Sequence, residues 1–291
     1  MNAELLLVAR KDFEDAVRSK MLWSLMGLLV LVMTLVYYVE AQVNDSTAVD
    51  SLLFLGQLLQ IVVPVSALLV GYMAVVRERQ SGSIKFLLGL PPTRRDVIFG
   101  KLIGRAGVIG LGIIASFGVA IVLSMVLFGS IPTAKLGAMA GLTVLLGLAF
   151  VGFSVGVSAS VSTRGRAMAL AIGLYLVFIA FWPLLTGGLY HLLYSEGPGV
   201  ESEAWYLLYN RLNPLQAYAD AASASLGGAV ADFSFVYGIR DPDARAMTAA
   251  ERVGGDVPFY LQDWFAIVIL ALWATVPVAL GYLRFRSIDL G

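Results

Sequence analysis

Six long apolar runs, separated by polar stretches of very unequal length, dominate the pattern of this chain. They are Met21–Val39, Leu52–Val76, Ala106–Phe128, Leu136–Val161, Ala167–Leu185 and Trp264–Leu283. None contains an Asp, Glu, Lys or Arg. A bilayer's hydrocarbon core is about 30 Å thick, so roughly 20 apolar residues in a helix rising 1.5 Å each will cross it. Each run is long enough. The runs lack the strict alternation of barrel strands, and only a helix satisfies every backbone polar group within one continuous segment. The pattern predicts an all-α polytopic membrane protein with six transmembrane helices.

The polar stretches carry their own patterns. Over Glu4–Lys20, Leu6, Ala9, Phe13 and Val17 fall on one helical stripe, with Arg10, Lys11, Asp12, Glu14, Asp15, Arg18 and Lys20 on the remaining faces. This spacing predicts an amphipathic helix over residues 1–20 lying on a membrane surface. In the connection 77–105, a short helical candidate Ser83–Leu90 ends at Pro91–Pro92, which cannot continue a helix. Thr93 can then cap a second helix, with Asp96 completing a capping box, and that helix runs through Gly100–Lys101 into the third span. In the longest connection, 186–263, Trp205–Leu208 and Leu212–Leu226 are apolar enough to pack or dip into the interface, and Asn213-Pro214 marks a turn or helix start.

Composition agrees with the pattern. Of 291 residues 59% are hydrophobic and 14% charged, with mean hydropathy +0.83, against about 25% charged in a soluble chain. A soluble globular enzyme is excluded. The 20 basic residues are unevenly placed: 15 lie in residues 1–20, 77–105, 162–166 and 284–291, and five lie in the alternate connections. Acidic residues divide the other way, seven against 13. The positive-inside rule therefore predicts cytoplasmic termini and an extracytoplasmic 186–263, with 284–291 as a cytoplasmic tail. The first run reads as a retained anchor rather than a cleaved signal.

Candidate chemistry is sparse. Cysteine is absent and His191 is the single histidine, which removes thiolate sites and histidine clusters. No phosphate-binding P-loop, GxSxG elbow, HExxH pair or carboxylate dyad occurs, so no catalytic residue and no metal ligand is assigned. Scattered methionines read as packing rather than a copper path. Gly152-x-x-x-Gly156 and Ser154-x-x-x-Ser158, with Gly107, Gly110, Gly112 and Gly118 in the third span, point to close helix packing. Gln57 and Gln60 share a face of the second span, where a primary amide needs a partner. They line a polar cavity, form a dimer seam or bond to a neighbouring helix. Pro64 predicts a kink there.

Glu78-Arg79-x-x-Gly82-Ser83-Ile84-x-x-Leu87-Leu88, then Pro91-x-Thr93-Arg94 and Gly100-Lys101, resembles the signature of ABC type-2 permeases, the membrane subunits of ATP-binding-cassette transporters. Within that family the chain most resembles the permeases of nitrous-oxide-reductase maturation systems, through Val8-Ala9-Arg10-Lys11, Leu212-Asn213-Pro214 and Arg284-Phe285-Arg286. The resemblance implies a type V exporter-like fold and a pair of permease copies, as a homodimer, joined to two separate ABC ATPase subunits. ATP and Mg would sit in those ATPases, with no cofactor in this chain. Glu78–Leu90 would be the coupling helix, with Glu78, Arg79, Gly82, Ser83, Phe86, Leu87, Leu90, Pro91, Arg94 and Lys101 as coupling residues. It further implies either export of a substrate or motion of an extracytoplasmic protein partner in copper-related metalloenzyme maturation. No nucleic-acid partner is expected. An ATP-independent membrane anchor or intramembrane enzyme subunit is the alternative.

Overall fold

The computed structural model describes residues 3–43, 46–81, 92–231, 247, 249–254 and 256–287, and no strand occurs among them. In chain order the helices are α1 (Ala3–Val17), α2 (Lys20–Glu40), α3 (Ala48–Gly71), α4 (Val76–Ser81), α5 (Arg94–Phe128), α6 (Thr133–Ser160) and α7 (Arg164–Leu176). A π turn, Val177–Phe181, joins α7 to α8 (Trp182–Tyr194). Then come α9 (Ala204–Arg211), α10 (Pro214–Leu226), α11 (Ala249–Arg252), a 3-10 turn Phe259–Leu261 and α12 (Asp263–Arg286). Six helical stretches are long and apolar enough to cross a membrane: α2, α3 with α4, α5, α6, α7 with α8, and α12.

The second and fourth spans form the centre. Their apolar windows are 67% and 61% buried, against 22–33% for the other four, which turn wide apolar faces outward. Small residues permit the tightest approaches. A Cβ at Gly152 would collide with the Ala274 carbonyl, and one at Gly156 with that of Pro277, so the Gly-x-x-x-Gly pair is what lets α12 lie against α6. The serine pair faces the other neighbour. Ser158 Oγ accepts the backbone N–H groups of Val75 and Val76, both at 3.0 Å, where α3 gives way to a turn before α4. A Cβ at Gly110 or Gly118 would meet nothing within 4 Å among the described residues.

Helix ends differ from the apolar runs where caps decide them. The second span begins at Ala48 rather than Leu52, because Thr47 and Asp50 form a reciprocal capping box whose backbone-to-carboxylate bond is 2.7 Å. It continues through Pro64 to Gly71. The fifth span does not stop at Leu185; it runs on to Tyr194, ended by Ser195 in the left-handed region. Thr93 and Asp96 make the box expected of them, and α5 then runs unbroken for 35 residues, about 52 Å at 1.5 Å per residue.

α10 lies among the spans rather than outside them. Ten of its 13 residues are buried, and it packs against α3, α6 and α12. Tyr218 Oη meets Thr143 Oγ1 at 3.1 Å, and Tyr218 also donates to Met139 Sδ, two to three turns inside α6. The chain leaving α10 brings Val230 against Gly56 in α3. Irregular backbone at this depth is tolerated only where protein satisfies its polar groups.

Candidate functional site

The end of the bundle that carries both chain termini holds a cluster of four charged side chains. α5 presents Lys101 and Arg105 one turn apart, so both project from the same face. Gly100 and Gly104 stand beside them on that face. A Cβ at Gly100 would sit 2.8 Å from Val8 Cβ, and one at Gly104 would sit 2.9 Å from the Ala9 carbonyl oxygen. These two glycines let α1 lie flat on α5. The contact buries Val8, Ala9, Asp12 and Ala16. The expected apolar stripe is therefore rotated: Ala9 is on the packed face and Phe13 and Val17 flank it, but Leu6 is 46% exposed and Asp12 is inside. A partner helix with its own cations redefines which face of an amphipathic helix is inward.

Asp12 binds both cations. Its Oδ1 lies 3.4 Å from Lys101 Nζ and accepts from Arg105 Nη2 at 3.0 Å, while Oδ2 is 2.7 Å from Arg105 Nε. Lys101 Nζ also donates to Glu78 Oε1 at 2.7 Å. Lys101 and Asp12 are only 5% and 6% exposed. Because the charges are shared, Asp12 would keep Arg105 without Lys101, and Lys101 would keep Glu78 without Asp12. Three segments distant in sequence are thus joined: α1, the α3–α4 end of the second span, and the start of the third. On the outer side of α1, by contrast, Arg10 pairs with Glu14 in full solvent, and that hydrogen bond and charge hold the Glu14 carboxyl below its ordinary range.

A cavity of about 830 Å³ opens between these segments, lined by Asp12, Arg77, Glu78, Pro92, Lys101 and Arg105 among others. Of the residues singled out from the signature, Glu78 and Lys101 are brought together here. Arg79 points elsewhere, donating to the Val161 carbonyl at the end of α6. Arg94 reaches α12, donating to the carbonyls of Phe285 and Arg286 at 2.9 and 3.1 Å with its guanidinium over the Phe285 ring. Gly82, Ser83, Phe86, Leu87, Leu90 and Pro91 lie outside the described residues. Asp12, Arg105 and Gly104 were not singled out from sequence. The signal available was the repeat of Gly and cation at 100–101 and 104–105.

Midway along α3, Gln60 is fully buried and its amide donates to the Ala231 carbonyl at 2.9 Å, while its own backbone carbonyl accepts from Tyr175 Oη at 3.3 Å. Gln60 therefore satisfies irregular backbone that dips between the spans. Gln57, on the same side of α3, is half-buried.

A model of the ABC-2 family transporter proteins matches residues 6–290, nearly the whole chain. The chain belongs to the ABC-2 transporter family. It is similar to the probable ABC transporter permease protein NosY of Pseudomonas aeruginosa, 27% identical over 289 residues and covering 96% of each chain. It is also similar to the protein of the same name from Stutzerimonas stutzeri, 27% identical over 220 residues, 72% of this chain and 78% of that one. With its six spans this ABC-2 chain is a multi-pass membrane protein and the permease subunit of an ABC transporter, and the family implies an ATPase partner.

Proposed function

We propose that this permease receives the motion of a separate ATPase through the connection 77–105 and passes it into the bundle at the Asp12–Glu78–Lys101–Arg105 cluster. The single observation carrying this reading is that cluster. A push on α4 reaches Lys101 through Glu78, and Lys101 belongs to the rigid 35-residue α5, so the third span turns with it. Asp12 makes α1 follow. Arg94 extends the linkage to the end of the sixth span. Two copies of this chain with two ATPase subunits, termini in the cytoplasm, would complete the transporter. Its output is export of a substrate or movement of an extracytoplasmic protein partner, the latter being what the resemblance to permeases of nitrous-oxide-reductase maturation systems implies.

The test is ATPase stimulation in liposomes holding this chain and its ATPase partner. Lys101→Met and Glu78→Gln should both insert and bind the ATPase yet lose most of the stimulation. Stimulation equal to wild type in both variants would overturn the assignment.

A further inference from the structure

Part of the chain beyond the π turn forms a body of its own. α8, the 195–203 connection, α9 and α11 enclose a second apolar core, Tyr190, Tyr206, Leu207, Ala249 and Leu261, separate from the core of the spans. Tyr190 packs its ring on Tyr194, Trp205 and Tyr206, and Thr186 Oγ1 donates to Asn210 Oδ1 at 3.1 Å. Arg252 of α11 binds the 195–203 connection through the carbonyls of Gly199 and Val200 and through Ser202 Oγ. This body, the cap, meets the rest of the described chain at three junctions: the π turn into α7, the Leu212–Asn213 turn into α10, and the 3-10 turn into α12.

All three junctions are fastened to one another by two side chains of the middle one. Arg211, fully buried, donates from Nη1 to the carbonyls of Tyr260 and Gln262 at the third junction and from Nε to Asp220 in α10. Asn213 Nδ2 donates to the Phe178 carbonyl at the first, at 2.7 Å. That carbonyl needs a donor for a stated reason. In the π register Trp182 N–H bonds Val177 O, so the next donor in line for Phe178 O is residue 183, and Pro183 has no N–H. A π turn followed by proline is also where a helix bends most readily.

We propose that the cap is one rigid body that rocks on the spans about this line of fastenings, with Asn213 as the positioning residue that holds the hinge of the fifth span. The motion rests on the reading above, in which ATP-driven rotation of the spans is the input; the cap delivers it to the far face of the membrane.

The absence of cysteine allows clean spin labelling. Labels go at Ala134→Cys on α6 with Leu192→Cys on the cap, and at Ala134→Cys with Trp264→Cys on α12 as the frame control; all three sites are exposed. Labelled chain is assembled with an excess of cysteine-free wild type, so each complex holds one labelled pair. Asn213→Ser keeps an acceptor for the Leu215 N–H that Asn213 caps, but is too short to reach Phe178 O. Without nucleotide, this variant should broaden the 134–192 distance distribution and leave 134–264 unchanged. Adding Pro183→Ala, which restores an N–H beside that carbonyl, should narrow it again. An N213S distribution like wild type, or equal broadening of both pairs, overturns the hinge. In the wild-type complex trapped with ATP and vanadate, 134–192 should shift and 134–264 should not. Broadening in N213S with no shift on trapping would keep the hinge and overturn the ATP-driven reading.

Discussion

The termini end of the bundle and its interior hold chain segments together by different chemistry. At the termini end three segments meet through charged groups, with two carboxylates set between two cations. Deeper in the bundle the fasteners are mostly neutral: amides of Gln60 and Asn213 and indoles of Trp182 and Trp273, each donating to a main-chain carbonyl. The partners differ because the needs differ. Near the boundary the charged cluster joins helices side chain to side chain, while Arg79 and Arg94 reach the carbonyls that helix ends leave free at α6 and α12. In the interior irregular backbone dips among apolar spans, and its carbonyls must find donors without importing net charge. The Arg211–Asp220 pair, at 2.8 Å, is the one ionic fastening away from the termini end among the described residues, and it too feeds two carbonyls.

Breaking the frame that both regions share should have the largest effect. Gly156→Leu would drive a side chain into the Pro277 backbone, and folded protein should fall below detection in detergent fluorescence size-exclusion. Next comes Arg211→Met, which leaves Asp220 buried without its cation and should cost about 3–5 kcal/mol, read as a drop in thermal midpoint. Arg211→Met with Asp220→Leu should recover most of it. If the double variant is no better than the single, the pair's charges are not what matters.

Lys101→Met should cost less than Arg211→Met, because Asp12 keeps Arg105. A double-mutant cycle with Asp12→Asn should show a coupling of about 0.5–3 kcal/mol; an additive result would remove the cluster from the comparison. Smallest is Thr93→Ala, which removes a helix cap worth about 1 kcal/mol and should shift the midpoint without affecting insertion.

Much of this was legible along the chain, and the successes share a cause. Spans, the Thr93–Asp96 box and the glycine pair of α6 depend on residues within a few positions of one another. The Thr47–Asp50 box has the same local signature and extends the second span by one turn. The inward face of α1 was not legible, because Leu6 and Asp12 exchange places only in the presence of Lys101 and Arg105. Nor was the role of Gln60. Its partner, Ala231, lies 171 residues away.

By itself the sequence determined the solvent and the number of crossings, because apolar length and cap chemistry are local properties. Only the tertiary structure decided which charges are internal, which amides serve the backbone and where the fifth span passes into a π turn. Those outcomes depend on a carbonyl or carboxylate from a remote segment arriving within hydrogen-bonding distance, and burial then makes leaving it unpaired more costly than any local preference.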